Sequence, residues 1–539
     1  MSRAARTVSA YVAGAILGIF LVVFGIFALI FWFPRDLTFL GMGNVNQRES
    51  FTRYGCADVR EVLDSRNIIV NSSRTDIMIR ATNPGQADEG TIVIYEDARG
   101  ITFNGNHRTH ISWTQTLTPE REVFYQINVH EPSGMVQRRA LVTINIISDG
   151  SAPLPFNFIF NTGTANVTFA GDSPADFLLV ESVVINPGSV GIFTFPQPAN
   201  PSIGRNFEME LQNLVVHASP ATVRAPDGVT QSVIIHGNHG NYTFGEVGTL
   251  YVPNSTSVNI TTREIHGSVH INSRGGTMNL GIVNSSVTMT ATTGRLNASR
   301  ISGNVDFTTT STGSVNVTEI IGTLDVETNA GSVNVRSVHG NVNINSRRAP
   351  IHLGTGTGSS PVPGMRGNVT INNTYGVTNV YFMNGIIGAP SLDFVGFDGN
   401  INARNIVGRT NILIESGGRA QVSAGFRRVQ GNQNEIRYIG STDPRSNFGN
   451  VRVILQGPLN ANPAFNAFNF NVSDSRSARD FTGWFVPGRP NPPSNATQHG
   501  VEIPNINAPG GAPWPVMGGS GANVLNVFTT NVVRLEWGR

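Results

Sequence analysis

Small residues recur every nine or ten positions between Gly267 and Gly340, at Gly267, Gly276, Ser285, Gly294, Gly303, Gly313, Gly322, Gly331 and Gly340. After most of them comes a short alternating run: GNVDF from 303, GSVNV from 313, GTLDV from 322, GSVNV from 331 and GNVNI from 340. A period of two marks a half-buried strand. It puts Val305 and Phe307, Val315 and Val317, Leu324 and Val326, Val333 and Val335, and Val342 and Ile344 on one face. Asp306, Asn316, Asp325, Asn334 and Asn343 then point the other way. A strand this short cannot bury its apolar face alone. Stacked turns of chain build a continuous core, and a Gly at each corner is expected to supply the positive φ of a tight bend. The predicted fold class is all-β, an elongated β-solenoid (parallel β-helix-like) with two or three strands per coil.

With two such strands per coil, residues about eighteen apart stack at the ~4.8 Å strand spacing. That register places Asn316 over Asn334 and Asp325 over Asn343, a polar ladder of side-chain amides and carboxylates along the outer face. Asp306 over Asp325 is a like-charge pair, tolerated on a solvated face.

The stretch from Val315 to Ser346, VNVTEIIGTLDVETNAGSVNVRSVHGNVNINS, resembles the repeats of a bacterial adhesin family of unknown function, which read Gly-Asp-Val-polar-Val. Here Asn or Ser usually stands in place of the Asp. The resemblance implies a β-solenoid and a cell-envelope role, and no catalytic residues. Weaker echoes of the pattern lie near 67, 140, 367 and 448, whereas 151–201 and 462–520 break the rhythm.

From Ser9 to Phe33 the chain carries no charge. As a helix at ~1.5 Å per residue the run is long enough to cross a hydrocarbon core of ~30 Å, so one N-terminal transmembrane α-helix is expected to precede the solenoid. It ends in Phe31, Trp32, Phe33 and Pro34 rather than the small residues of a cleavage site, which favours a signal-anchor. Arg3 and Arg6 precede it, and Arg35 and Asp36 nearly cancel after it. The positive-inside rule therefore puts the short tail in the cytoplasm and the C-terminal ectodomain outside the cell or in a lumen. Gly14, Gly18 and Gly25 lie on roughly one face, where small residues let two helices approach.

All 37 basic residues are Arg, which removes lysine chemistry: no P-loop lysine, Schiff base or lysine general base. The net charge of +2 comes from scattered Arg without a basic stripe, so nucleic acid is not an expected partner. Cys56 is the single cysteine, leaving packing and ladder hydrogen bonds to hold the fold. His236 with His239 and His266 with His270 have a spacing that is not specific for a metal site, and the first pair, like His107 with His110, is three apart, so on a strand its members face opposite ways. The carboxylates Asp306, Glu319, Asp325 and Glu327 fall within the regular pattern instead of clustering for acid–base work. No metal, cofactor or catalytic residue is expected. Sequons at Asn166, Asn241, Asn254, Asn259, Asn284, Asn297, Asn316 and Asn368 lie on the outward side in this topology.

These readings divide the chain into a cytoplasmic tail (1–8), the transmembrane helix (9–33), a β-rich membrane-proximal region of early coils (34–245), regular solenoid repeats (246–456), and Pro/Asn-rich loops with a terminal strand as cap (457–539). The expected function is non-catalytic: a membrane-anchored cell-surface adhesion or envelope-interaction protein. Its expected partners are the lipid bilayer, a glycan or surface-protein ligand, and further copies of itself. Two other classes stay open, a structural protein assembling into a coat or fibre, and a β-helix carbohydrate-active enzyme.

Overall fold

The structure is a computed structural model of the chain. It describes residues 229–355 without a break, most of 364–414, residues 17–19 and 21–22, and elsewhere mainly β-strands. The chain forms an all-β parallel β-solenoid of about nine turns. It divides into two compact units, Met1–Gly228 and Val229–Arg539.

In the second unit each coil gives one strand to each of two parallel ladders. One ladder passes through Val269–Gly275, Val287–Ala291, the first part of Val305–Ile320, Leu324–Ala330, Val342–Ser346, Val369–Asn373 and Leu392–Gly396. The other passes through Thr277–Val283, Gly294–Ile301, the second part of Val305–Ile320, Val333–Val338, Ile351–Leu353 and Thr378–Tyr381. The ten inward residues named from Val305 to Ile344 are 0–3% exposed. Burying each such side chain contributes roughly 1.5–3 kcal/mol, which only stacked neighbours can provide. A Cβ added to Gly313 would lie 2.9 Å from Cε1 of Phe307, so the glycine makes room for the ring.

The corner glycines work differently from the sequence expectation. Of the repeat glycines between 267 and 340, only Gly276 and Gly331 have positive φ, at 121° and 127°. Gly294 and Gly313 make room for side chains of their own coil, whereas Gly267, Gly303, Gly322 and Gly340 serve the close approach of one turn to the next: a Cβ on Gly340 would sit 2.6 Å from the carbonyl oxygen of Gly322. Stacking at strand spacing, more than dihedral freedom, demands small residues there.

One coil is longer than its neighbours. The register slips between Thr309 and Thr312, which pair with Thr328 and Ala330, so an extra residue bulges at the corner.

Within the first unit, stacking order departs from chain order. Asn67–Ser72 lies between Val123–His130 and Phe156–Thr162, all parallel. Likewise Asp76–Thr82 lies between Met135–Ile147 and Val167–Gly171. Antiparallel pairing appears where the chain returns, between Thr91–Thr102 and Met135–Ile147 and between His110–Leu117 and Val123–His130. Phe158, Phe160 and Phe169 pack together with ring centroids 5.7–6.1 Å apart. The second unit repeats the device near its C-terminus, where Asn523–Phe528 lies between Gln433–Tyr438 and Phe468–Ser473.

Of the apolar run Ser9–Phe33, residues 17–19 and 21–22 are helical, and Leu17, Ile19, Leu21 and Val22 are 60–66% exposed. Among the described residues no helix is long and apolar enough to cross a membrane. Gly18 meets nothing within 4 Å of an added Cβ. The rest of the run, with Gly14 and Gly25, lies outside the described residues, as do Cys56 and His107.

Candidate binding groove

One corner of the second unit is built on a column of small buried polar residues. Thr309, Thr328, Ser346 and Asn373 occupy successive rungs and are at most 4% exposed. Thr309 Oγ1 donates to Thr328 Oγ1 at 2.9 Å, and Thr328 Oγ1 donates onward to the Ala330 carbonyl at 2.9 Å. Ser346 Oγ accepts the Ala349 N–H at 2.9 Å. Asn373 Nδ2 reaches both the Ala349 carbonyl and Thr378 Oγ1, each at 2.9 Å. Where the strands end, these groups take over hydrogen bonds that the turning backbone gives up.

Outside this column the corner opens into a groove of about 520 Å³. It is lined by Thr308, Thr309, Thr310, Glu327, Thr328, Asn329, Asn345, Ser346, Arg347 and Thr374. The volume falls within the ~300–1,000 Å³ of ordinary ligand sites. The lining comes from four successive coils, so the groove follows the stack at ~4.8 Å per rung. The bulge at Thr309–Thr312 forms one end.

An aromatic pair stands beside the other end. Tyr375 and Phe397 meet edge to face, with ring centroids 5.6 Å apart and planes at 65°. They are 42% and 36% exposed, and the Arg348 guanidinium carbon lies 5.6 Å from the Tyr375 ring centroid. The backbone ladder continues through this corner and fixes the group. The Arg348 N–H donates to the Asn329 carbonyl at 2.9 Å, Tyr375 N–H to Arg347 at 2.9 Å, and Phe397 N–H to Thr374 at 3.1 Å. Both Arg347 and Arg348 are exposed, and neither has a carboxylate partner among the described residues, whose ion pairs lie elsewhere.

The residues read as a polar ladder from sequence lie away from the groove lining. Asn334 Nδ2 donates to Asn316 Oδ1 at 2.8 Å, and Asn343 Nδ2 donates to Asp325 Oδ1 at 3.3 Å. Asp306 and Asp325 occupy facing positions on adjacent rungs, both exposed. The amide of Asn316, a sequon residue, is engaged twice, since it also donates to Asn297 at 3.0 Å.

His266, His270 and His339 serve separate contacts. His270 stacks on Tyr251 with ring centroids 5.4 Å apart. His266 Nε2 lies 3.2 Å from Glu246, and its Nδ1 lies 3.7 Å from Glu264. His339 Nε2 lies 3.1 Å from Glu319, which Arg300 approaches at 3.7 Å. Among the described residues no three His, Cys, Asp or Glu side chains are grouped to hold a metal ion. Burial by itself would raise the pKa of Glu246, but hydrogen bonds and charge from Arg263 and His266 outweigh it and hold the carboxyl below its usual range.

Glu327 is the one carboxylate among the lining residues. Glycoside hydrolysis in its usual form takes a pair. What the groove offers is hydroxyl, amide and guanidinium groups beside exposed rings. No protein-family model matches the chain, and no curated protein matches it.

Sequence reading did not single out Tyr375, Phe397, Arg347 or Arg348. Successive rungs there, Val342, Val369 and Leu392, are separated by irregular intervals, so the corner can be aligned only once the register is known.

Proposed function

We propose that this protein is a membrane-anchored surface protein that acts by presenting its solenoid to a ligand and not by catalysing a reaction. The observation that carries the reading is the groove across four coils, wide enough for a ligand and edged by an exposed aromatic pair. Its polar lining suits a hydroxyl-rich partner, and the single carboxylate suits binding better than hydrolysis. The uncharged run Ser9–Phe33, with Arg3 and Arg6 before it, supports a single-pass anchor whose C-terminal part faces outward. The likeness of Val315–Ser346 to adhesin repeats supports the same role.

The test is binding of the full-length protein to intact cells and to an oligosaccharide array, with light scattering on the same sample. Saturable binding that free ligand competes away is the expected outcome. Concentration-dependent assembly without binding to either would overturn the reading in favour of a coat or fibre.

A further inference from the structure

We propose that the Arg347 and Thr374 end of the groove, together with Arg348, Tyr375 and Phe397 beside it, binds an acidic sugar ring, with the rest of an anionic oligosaccharide lying along the stack toward Glu327 and Thr310. The inference rests on the surface-binding reading and names its ligand class. Two adjacent residues carry guanidinium groups with no carboxylate partner among the described residues. A guanidinium grips a carboxylate through two parallel N–H donors, and this geometry favours Arg where planar anions are recognised.

Arg348 lies 5.6 Å from the Tyr375 ring centroid, and Tyr375 and Phe397 remain 42% and 36% exposed. A ligand here meets positive charge and apolar ring surface together. An acidic sugar offers both complements, a carboxylate on a ring whose C–H groups pack against an aromatic. A bare inorganic anion would leave the rings unused, and a neutral sugar would leave the charges unused.

The groove floor extends the fit. Thr310, Asn345 and Asn329 supply donors and acceptors for hydroxyls, whereas Glu327 accepts only. Glu327 pairs with Asn345, which pairs with Asn372 on the coil of Tyr375. It therefore sits two rungs from Tyr375, on the order of 10 Å at strand spacing, and one rung from Arg347 and Arg348, whose backbone N–H groups bond the Thr328 and Asn329 carbonyls. There it can accept from the hydroxyl of a neighbouring sugar, on the side of the two arginines away from Tyr375. The ligand is thus a chain of sugars, charged where it meets Arg347 and Arg348.

The experiment uses the full-length protein on an array of hexuronic-acid and sialylated oligosaccharides, each beside its carboxyl methyl ester. Intact-cell binding is measured in parallel. The variants are Tyr375→Ala and the double change Arg347→Gln with Arg348→Gln, and Arg295→Gln on the other ladder is the control. These side chains are on the surface, and a thermal melt checks that each variant folds. The expected result is binding to acids that weakens about tenfold or more on esterification and in both test variants, the size expected for losing a hydrogen bond to a charged group. The control binds like the parent. Equal binding of acid and ester, or undiminished binding by either test variant, overturns the inference. Cell binding without any binding to acidic oligosaccharides overturns it while leaving the surface-binding reading in place. Absence of binding to cells and oligosaccharides alike overturns both.

Discussion

Asn334 donates its side-chain amide to Oδ1 of Asn316 across one rung at 2.8 Å, and Asn316 passes the pattern on to Asn297 at 3.0 Å. Asn297 donates to Asn279 at 2.8 Å, so four rungs share one directional chain. The first unit has the same device, from Asn186 through Asn161 and Asn71 to Asn128, at 2.6–2.7 Å. An interior member makes two such bonds and an end member fewer. Asn316→Ala is therefore expected to cost about 1–3 kcal/mol, at roughly 0.5–1.5 kcal/mol per net bond, and Asn279→Ala about half as much. Urea unfolding midpoints of the two variants check this, and equal shifts would mean that the number of amide bonds lost does not set the cost.

Gly331 tests the corner geometry. Its φ of 127° is one that side chains rarely adopt, and an added Cβ would lie 1.7 Å from the Gly313 carbonyl oxygen. Backbone cannot move aside as a flexible side chain does. Gly331→Ala should cost about 3 kcal/mol or more, well above the ordinary point change of ~1 kcal/mol. Thermal melting against Ser332→Ala, one position on, provides the measure.

The solenoid was legible because period-two alternation and a nine-residue step agree from Val305 to Ile344, and either alone would be ambiguous. Even the bulge leaves a trace, the ten-residue step from Gly303 to Gly313. The groove was not legible. Its floor uses Thr309, Thr328 and Ser346, polar residues at buried positions, which a hydrophobic pattern scores as strand ends. Nor was the stacking order near the chain ends. Whether Asp76–Thr82 pairs with Met135–Ile147 or with a nearer segment depends on where the chain returns, and alternation is the same in either case.

Glu246 makes stability depend on pH in one direction. Its folded-state pKa is held below the usual value by Arg263 and His266 despite partial burial. A carboxyl depressed on folding stabilises fully above its unfolded pKa of ~4.3, and this contribution fades as pH falls through the folded value. The parent protein should thus lose more stability than Glu246→Gln between neutral pH and about pH 3, a window set by that unfolded reference. The difference should be modest, since the Glu246 side chain is 26% exposed and the Arg263 side chain 54%. Parallel melting curves across that range, converging at low pH, are the expected result.

The last strands of the chain are interior to their stack. Asn523–Phe528 is parallel to Gln433–Tyr438 on one side and Phe468–Ser473 on the other, and Val533–Gly538 lies likewise between Val451–Gln456 and Phe481–Phe485. In a plain solenoid the final coil frays first, because it has a neighbour on one side only. Here the terminal segment has two, and the coil made by 468–485 depends on it for parallel pairing. Truncation after residue 522 should therefore release two coils instead of one. Limited proteolysis of the truncated chain is expected to trim it back toward residue 457, with the strands up to Val451–Gln456 retained. In the intact protein, amides of Asn523–Phe528 should exchange as slowly as those of Gln433–Tyr438. Fast exchange of the terminal strand beside a protected 433–438 would show that the inserted order does not hold the end of the stack.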